Sequence, residues 1–468
     1  MRTACAADDR LAFHRAVTTP NAQRAPTPDP VELLRSRSYL VLLVFGALVG
    51  VVAAAVAYFF LKAVQEVQHF VFTSLPGEIG FSHEPLWWPL PCLALAGLLV
   101  ALTIRNLPGT AGHKPAEGFK TGSPVLPIEL PGIVLASFAT LSLGVVLGPE
   151  APLIAIGSGL GVLILRLVRR DAPATAIAVI GAAGSFAAIS TLLGSPIVGA
   201  FLLMEAAGIG GAILGVVLVP GLLAAGIGSL IFVGLDNWTG FGTLSLAVPQ
   251  IPHAGSPRGA EFLWAIGIGV AAAILGTAIK RVGLALQPIV ERRILVLTPL
   301  VGLTVGGLAI AFAKATGRSS SQVLFSGQND LAPLIHNAAS WSVGALTILI
   351  VCKALAYGVS LSSFRGGPVF PAMFIGAAGG IALSHAPGLP MIAGVGMGIG
   401  AMSATMLGLP LTSVLLPSLF LQADALTLMP LVIVSVVVAY VTSARLAPPP
   451  RHVRHVPSAK ADEVREGP

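Results

Sequence analysis

Gly148-Pro149-Glu150-Ala151-Pro152, followed by Ile156, Gly157 and Gly161, is matched 219 positions later by Gly367-Pro368-Val369-Phe370-Pro371, followed by Ile375, Gly376 and Gly380. Six identities fall in one frame. A second pair follows each copy in the same order. Thr191-Leu192-Leu193-Gly194-Ser195-Pro196 resembles Thr405-Met406-Leu407-Gly408-Leu409-Pro410, and Gly184 matches Gly398, all at an offset of 214. Two units repeated in order describe a duplicated chain, a common plan among transport folds. The halves are placed at residues 40–236 and 263–443, joined by a loop over 237–261 that holds Pro249, Pro252 and Pro257. The repeat alone leaves open whether the halves run parallel or inverted.

The rest of the chain says where such halves sit. Of 468 residues, 55% are hydrophobic and 10% charged, and residues 39–61 carry no charge over the length a bilayer core requires. Further apolar blocks over 86–104, 133–165, 174–233, 263–278, 294–313, 343–359 and 366–441 bring the expectation to ten or more membrane segments. The 54 Gly and 36 Pro are scattered through these blocks. In lipid such breaks survive only where the freed backbone groups are buried in protein or face water, so broken helices are expected. The fold class is an all-α polytopic membrane protein.

The net charge of +7 sits largely at the ends and in short connections, as topology requires and as a nucleic-acid interface does not. Cys5, Cys92 and Cys352 are far apart and suit neither a disulfide framework nor a metal site. No phosphate-binding or dinucleotide fingerprint occurs, so no cofactor is expected. Residues 1–38 lack a signal-peptide core and read as a cytoplasmic tail ending in a short amphipathic helix over 31–38. The membrane domain is placed at 39–446. Residues 447–468, with three prolines at 448–450, read as a short cytoplasmic tail without a regulatory domain. Trp87, Trp88, Trp238 and Trp341 end apolar blocks and read as interfacial anchors.

Each first unit reads as a Gly-rich turn, a Pro in the first helical turn, and a Gly-spaced apolar helix, over 153–167 and 372–383. A helix that begins inside the membrane has unpaired N–H groups and a partial positive charge at its N-terminus, which together attract an anion. Two such starts converging near the midplane hold an anion without a full charge, which would bind too tightly for release. Ordinary Pro-started helices packed by small residues would look the same. Glu150 separates the two readings, because an acid at membrane depth costs about 3 kcal/mol or more unless paired. Its functional reading is a side chain that competes with the permeant anion for the same N–H groups. Its structural reading is a helix cap.

At these residues the sequence resembles the CLC family of chloride channels and anion/proton exchangers. The family's Gly-Arg-Glu-Gly-Pro signature lies over Gly148-Pro149-Glu150-Ala151-Pro152, and its Gly-Ile-Phe-Ala-Pro signature over Gly367-Pro368-Val369-Phe370-Pro371 with the Phe shifted by one place. Its Pro-Leu-Ala-Gly segment ending in acids resembles Ser195-Pro196-Ile197-Val198-Gly199 through Met204-Glu205. The resemblance spans roughly residues 112–443. It implies inverted halves meeting at a midplane anion site, a homodimer with a pore in each subunit, a cell-membrane location and Glu150 as the gating glutamate. The implied anion-binding set is Gly148, Pro149, Glu150 and Ala151 with Gly112, Gly367, Val369 and Phe370. The family's Gly-Ser-Gly-Ile-Pro element falls over Ala111-Gly112-His113-Lys114-Pro115, so Gly112 occupies the place of the anion-binding Ser.

His113 and Lys114 are candidates for an anion vestibule, and equally for a plain interfacial loop. Glu205 is a candidate proton relay or a hydrogen-bonded structural acid. Exchangers of the family end their proton path at the second of two adjacent acids, and here Ala206 follows Glu205. Tyr440 lies inside the last long segment and is not assigned the family's Tyr ligand. Ser158 between two glycines is read as helix packing, since no His between His113 and His253 is available as a base for an intramembrane hydrolase. The expectation is transport of chloride or a similar small anion by a gated passive channel, with no enzymatic activity. The alternative is a proton-coupled exchanger of chloride, fluoride or nitrate, and a membrane sensor or intramembrane enzyme is more remote.

Overall fold

The computed structural model describes residues 35–119, 123–208, 212–240, 246, 255–422 and 424–447. Half of the expected amphipathic helix over 31–38, about half of the linker over 237–261 and the tail beyond 447 lie outside the described residues. Regular structure among the described residues is helical apart from one isolated backbone bridge.

The first half comprises α1 (Arg37–His69), α2 (Pro89–Asn106), α3 (Leu130–Ser142), α4 (Glu150–Val168), α5 (Ala174–Leu193), α6 (Pro196–Ala206) and α7 (Ala212–Thr239). The second comprises α8 (Gly259–Arg292), α9 (Ile294–Thr316), α10 (Gln328–His336), α11 (Val343–Leu361), α12 (Val369–Leu383), α13 (Met391–Leu407), α14 (Pro410–Leu415), α15 (Ser418–Leu421) and α16 (Asp424–Leu446). Nine helices among the described residues are long and apolar enough to cross a bilayer, and five apolar helices of 10–17 residues are too short to do so alone. The chain is a multi-pass membrane protein. Of the short helices, α12 and α13 are buried almost throughout, so backbone that ends there at membrane depth is surrounded by protein.

The repeat seen in sequence is a repeat of contacts. In α4 and α5, a Cβ built on Gly157 would lie 2.3 Å from the Gly184 carbonyl oxygen, and one on Gly184 would lie 2.0 Å from that of Gly157. In α12 and α13, Gly376 and Gly398 stand in the same reciprocal relation at 2.2 and 2.1 Å. One turn on, Gly161 meets the Ile180 carbonyl as Gly380 meets that of Gly394. Small residues let backbones approach closely, and in lipid that dispersion contact is a main source of helix association. The second unit is a helix stop: α5 ends at Gly194 (φ 63°) and α13 at Gly408 (φ 72°). This left-handed conformation suits Gly, and Pro196 and Pro410 then start the next helix.

Sidedness follows from charge. Leu42 and Phe45, next to Arg37 at the start of α1, pack with Leu165 and Ala176 at the end of α4 and the start of α5, beside Arg166, Arg169 and Arg170. Arg281 donates to the Leu446 carbonyl at the end of α16, and Lys114 pairs with Glu291 at the end of α8. Each of these two groups is basic, with Arg37, Arg166, Arg169 and Arg170 in the first and Arg292, Arg293 and Arg445 in the second, and the positive-inside rule assigns both to the cytoplasm. α4 runs towards that side. α12 runs the other way, since Gly388 just beyond it approaches Trp264 at the far end of α8. The two halves are therefore inverted.

Gly184→Val is expected to remove folded protein, because the added side chain meets backbone in α4; overpacking of this kind costs on the order of 3 kcal/mol. Gly307→Ala, with open space at its Cβ, is the matched control. Detergent size-exclusion chromatography checks both, and a monodisperse Gly184→Val protein contradicts the packing described.

Candidate functional site

The N-termini of α4 and α12 are tied to each other by the bridge. Gly148 N–H donates to the Gly367 carbonyl at 2.8 Å and Gly367 N–H to that of Gly148 at 2.6 Å. These residues are equivalents in the repeat, so a local two-fold axis passes between them. Both helices start three residues earlier than the proline spacing suggested, at Glu150 and at Val369, with Pro149 and Pro368 as N-caps. Pro152 and Pro371 stand third in the helices, where a missing N–H costs nothing.

The amides of Gly148 and Gly367 are committed to the bridge, and Pro149 has no N–H, so these three implied anion ligands have no backbone donor to offer. Their contribution is steric. A Cβ on Gly367 would fall 1.8 Å from Glu150 Oε2, and one on Gly148 2.3 Å from it. The first-turn donors left are Glu150 and Ala151 in α4, and Val369 and Phe370 in α12. Ala151 N lies 3.0 Å from a Cβ built on Gly367, which brings the two donor pairs to one place.

Glu150 occupies that place. It is fully buried, and its Oε1 accepts from Phe370 N–H of the opposite half at 2.8 Å. Its Oε2 is sealed and has no partner among the described residues. The carboxyl thus reaches across to cap the other half's helix. With one oxygen satisfied and one not, it holds its position with less than its full hydrogen-bonding capacity, which lowers the cost of leaving.

Three buried polar side chains that the sequence reading passed over support this centre. Tyr357 of α11 is fully buried and donates to the Pro368 carbonyl at 3.0 Å, fixing the turn before α12. Lys353 of α11 places its ammonium 2.9–3.4 Å from the carbonyls of Gln322, Val323, Leu324 and Phe325 and 4.4 Å from the Phe374 ring of α12. Phe325 N–H in turn donates to the Gly144 carbonyl before α4, so the segment that Lys353 holds braces the approach to both helix starts. Arg365 is buried and donates from Nε to the Thr110 carbonyl at 2.9 Å. Charges inside apolar blocks were the available signal for Lys353 and Arg365, the same signal that singled out Glu150.

The remaining candidates spread outward. Gly112 (φ 99°) lies in the loop that Arg365 grips, with only Ile133 near its Cβ. His113 contacts the Gly118 carbonyl at 2.7 Å, and Lys114 pairs with Glu291 at 2.7 Å and Glu117 at 3.8 Å, so its charge is answered locally. Tyr440 is 39% exposed, away from the centre. Ser158 accepts from Val125 N–H in a packing contact.

Glu205 at the end of α6 has both oxygens occupied, Oε1 by Leu411 N–H at 2.9 Å and Oε2 by the N–H and hydroxyl of Thr412 at 2.8 and 2.7 Å. It caps α14 of the opposite half, where an acid also meets the helix dipole. Glu205→Ala is expected to lower stability by about 2 kcal/mol. Thermal unfolding in detergent checks this, and an unchanged midpoint contradicts the capping role.

Known proteins share this architecture. The chain is 29% identical over 360 residues to the ion-transport protein YfeO of Escherichia coli O1:K1, covering 76% of this chain and 82% of that one. Among solved structures, a slow cyanobacterial Cl⁻/H⁺ antiporter superposes with a TM-score of 0.69 at 18% identity, over 87% of this chain and 95% of that one. A CLC-type fluoride/proton antiporter gives 0.59 at 20% identity over 87% and 96%, and a eukaryotic CLC transporter 0.64 at 17% over 88% and 73%. At these identities the likeness is one of fold. The profile of the voltage gated chloride channel family matches residues 27–192 and 96–444. With that match spanning most of the chain, and with paired helix starts joined by a bridge beneath a buried glutamate, this protein belongs to the voltage gated chloride channel family.

Proposed function

We propose that the protein carries chloride or a similar small anion across the cell membrane, with Glu150 as the gate. The observation that carries this reading is the Phe370 N–H to Glu150 Oε1 bond across the two halves. The gate sits on the donors an anion would use, so anion and carboxylate exclude each other there. The first-turn amides of Glu150, Ala151, Val369 and Phe370, the last held by the Glu150 carboxylate, form the proposed ligand set, and Gly148, Pro149 and Gly367 shape it. Partial charges at two helix starts bind weakly enough for release.

Passive conduction is the first reading. Glu205 has both oxygens engaged in capping and Ala206 follows it, so no second acid stands free on that segment to relay a proton. Proton-coupled exchange is the second reading. It is favoured by the likeness to structures described as Cl⁻/H⁺ and fluoride/proton antiporters, and by a gate that is itself a protonatable group. The family resemblance carries the further proposal of a homodimer with one path per subunit. Ile197, Leu411 and Leu426, exposed at 63%, 44% and 81% on α6, α14 and α16, supply an apolar face for it.

Purified protein in chloride-loaded liposomes tests this. Valinomycin-assisted chloride efflux well above that of empty liposomes is expected, with Glu150→Gln raising the flux and abolishing its pH dependence. Efflux equal to that of empty liposomes sinks the transport proposal, and an unchanged pH response in Glu150→Gln sinks the gate. A pH electrode in the same suspension separates the two modes. Passive conduction leaves the proton gradient alone, whereas exchange drives protons uphill.

A further inference from the structure

Arg365 stands two residues before Gly367, on the cytoplasmic side of the bridge. Its guanidinium is buried, and no carboxylate lies within ion-pair distance among the described residues. Three carbonyls hold it: Thr110 at Nε (2.9 Å), Ser363 and Phe364 at Nη1 (3.3 and 3.2 Å). Its backbone N–H points to the Thr140 hydroxyl at 3.4 Å. These contacts fix the plane of the guanidinium and leave Nη2 without a protein partner among the described residues, yet not sealed. The nearest acids, Glu291 and Glu117, act on it only through space, and both also answer to Lys114. A buried cation without a contacting counter-charge favours a mobile one.

The place is also where the family resemblance leaves a gap. The loop that Arg365 grips through Thr110 carries Gly112 in the position of an anion-binding hydroxyl, and Gly112 has none to offer. We propose that Arg365 is a direct ligand of the permeating anion on the cytoplasmic side of the paired helix starts, its Nη2 donors doing there what a hydroxyl at residue 112 would do. The proposal rests on the transport reading above and adds a specific residue to it. A full charge at a conduction site would trap its ion. Here it is tempered by three carbonyl dipoles and two acids, and only one nitrogen is free. Single-point contact gives no preference for planar oxyanions over halides, since the two-pronged fork is not presented.

Chloride titration calorimetry and liposome flux on the full chain test it. Arg365→Gln is expected to weaken chloride binding about tenfold or more, the worth of a hydrogen bond to a charged group, with a matching rise in the chloride concentration for half-maximal flux. Arg365→Lys, which keeps the charge, retains binding between the two. Glu117→Gln removes a tempering charge at a distance and tightens chloride binding severalfold, and it decides the matter if neither Arg365 variant folds. Folded Arg365 variants with wild-type chloride affinity overturn the proposal, as does a Glu117→Gln protein whose affinity does not rise. A wild-type protein without chloride flux removes the transport reading instead. Wild-type flux that responds to Glu150→Gln but not to Arg365→Gln removes Arg365 alone.

Discussion

Two hydrogen bonds between Gly148 and Gly367 hold the rest in place. They join equivalent points of two inverted halves, and from there α4 and α12 diverge towards opposite faces. Each helix brings unpaired amides to the joint, and neither half has a complete site without the other. The bridge requires glycine at both ends for steric reasons, because the Glu150 carboxyl fills the space a side chain would need. Helix packing follows from the same repeat. Gly157 against Gly184 and Gly376 against Gly398 bring each first helix close to its neighbour, so the joint stands on two matching pillars.

An acid at membrane depth is tolerated here because it has somewhere to put its charge. Phe370 N–H and the partial positive end of α12 offset the loss of hydration on one oxygen. The other oxygen has no partner among the described residues, so the carboxyl is held at one oxygen alone. Glu205 is the contrast. With three donors from Leu411 and Thr412 it is fully engaged, and its work is to tie α6 of one half to α14 of the other. Two acids in one protein thus differ in hydrogen bonding, one half-satisfied and one saturated.

The duplication, the membrane setting and the burial of Glu150 are legible because each leaves a mark along the chain: a fixed offset, an uncharged run, a lone charge. The helices start three residues before the proline spacing suggests, because Pro152 and Pro371 stand inside the first turn. The spacing therefore does not show that Glu150 is helical itself and reaches across to Phe370, 220 residues away. Gly148 and Gly367 offer no amide to an anion for a related reason. Their N–H groups pair with each other, a contact no local spacing reveals. Lys353 and Arg365 carried the same signal as Glu150, a charge within apolar sequence, but their partners are backbone carbonyls of distant segments and leave no trace in residue type.

The central claim is that Glu150 and the permeant anion occupy the same amides. Crystals of Glu150→Gln soaked in bromide test it most directly by anomalous scattering. The account expects a bromide peak within hydrogen-bonding distance of Val369 and Phe370 N–H, in the space that the Glu150 carboxylate fills in the wild-type protein. A bromide peak that leaves those amides empty, or the same peak in wild type with the Glu150 carboxylate still on Phe370, contradicts it.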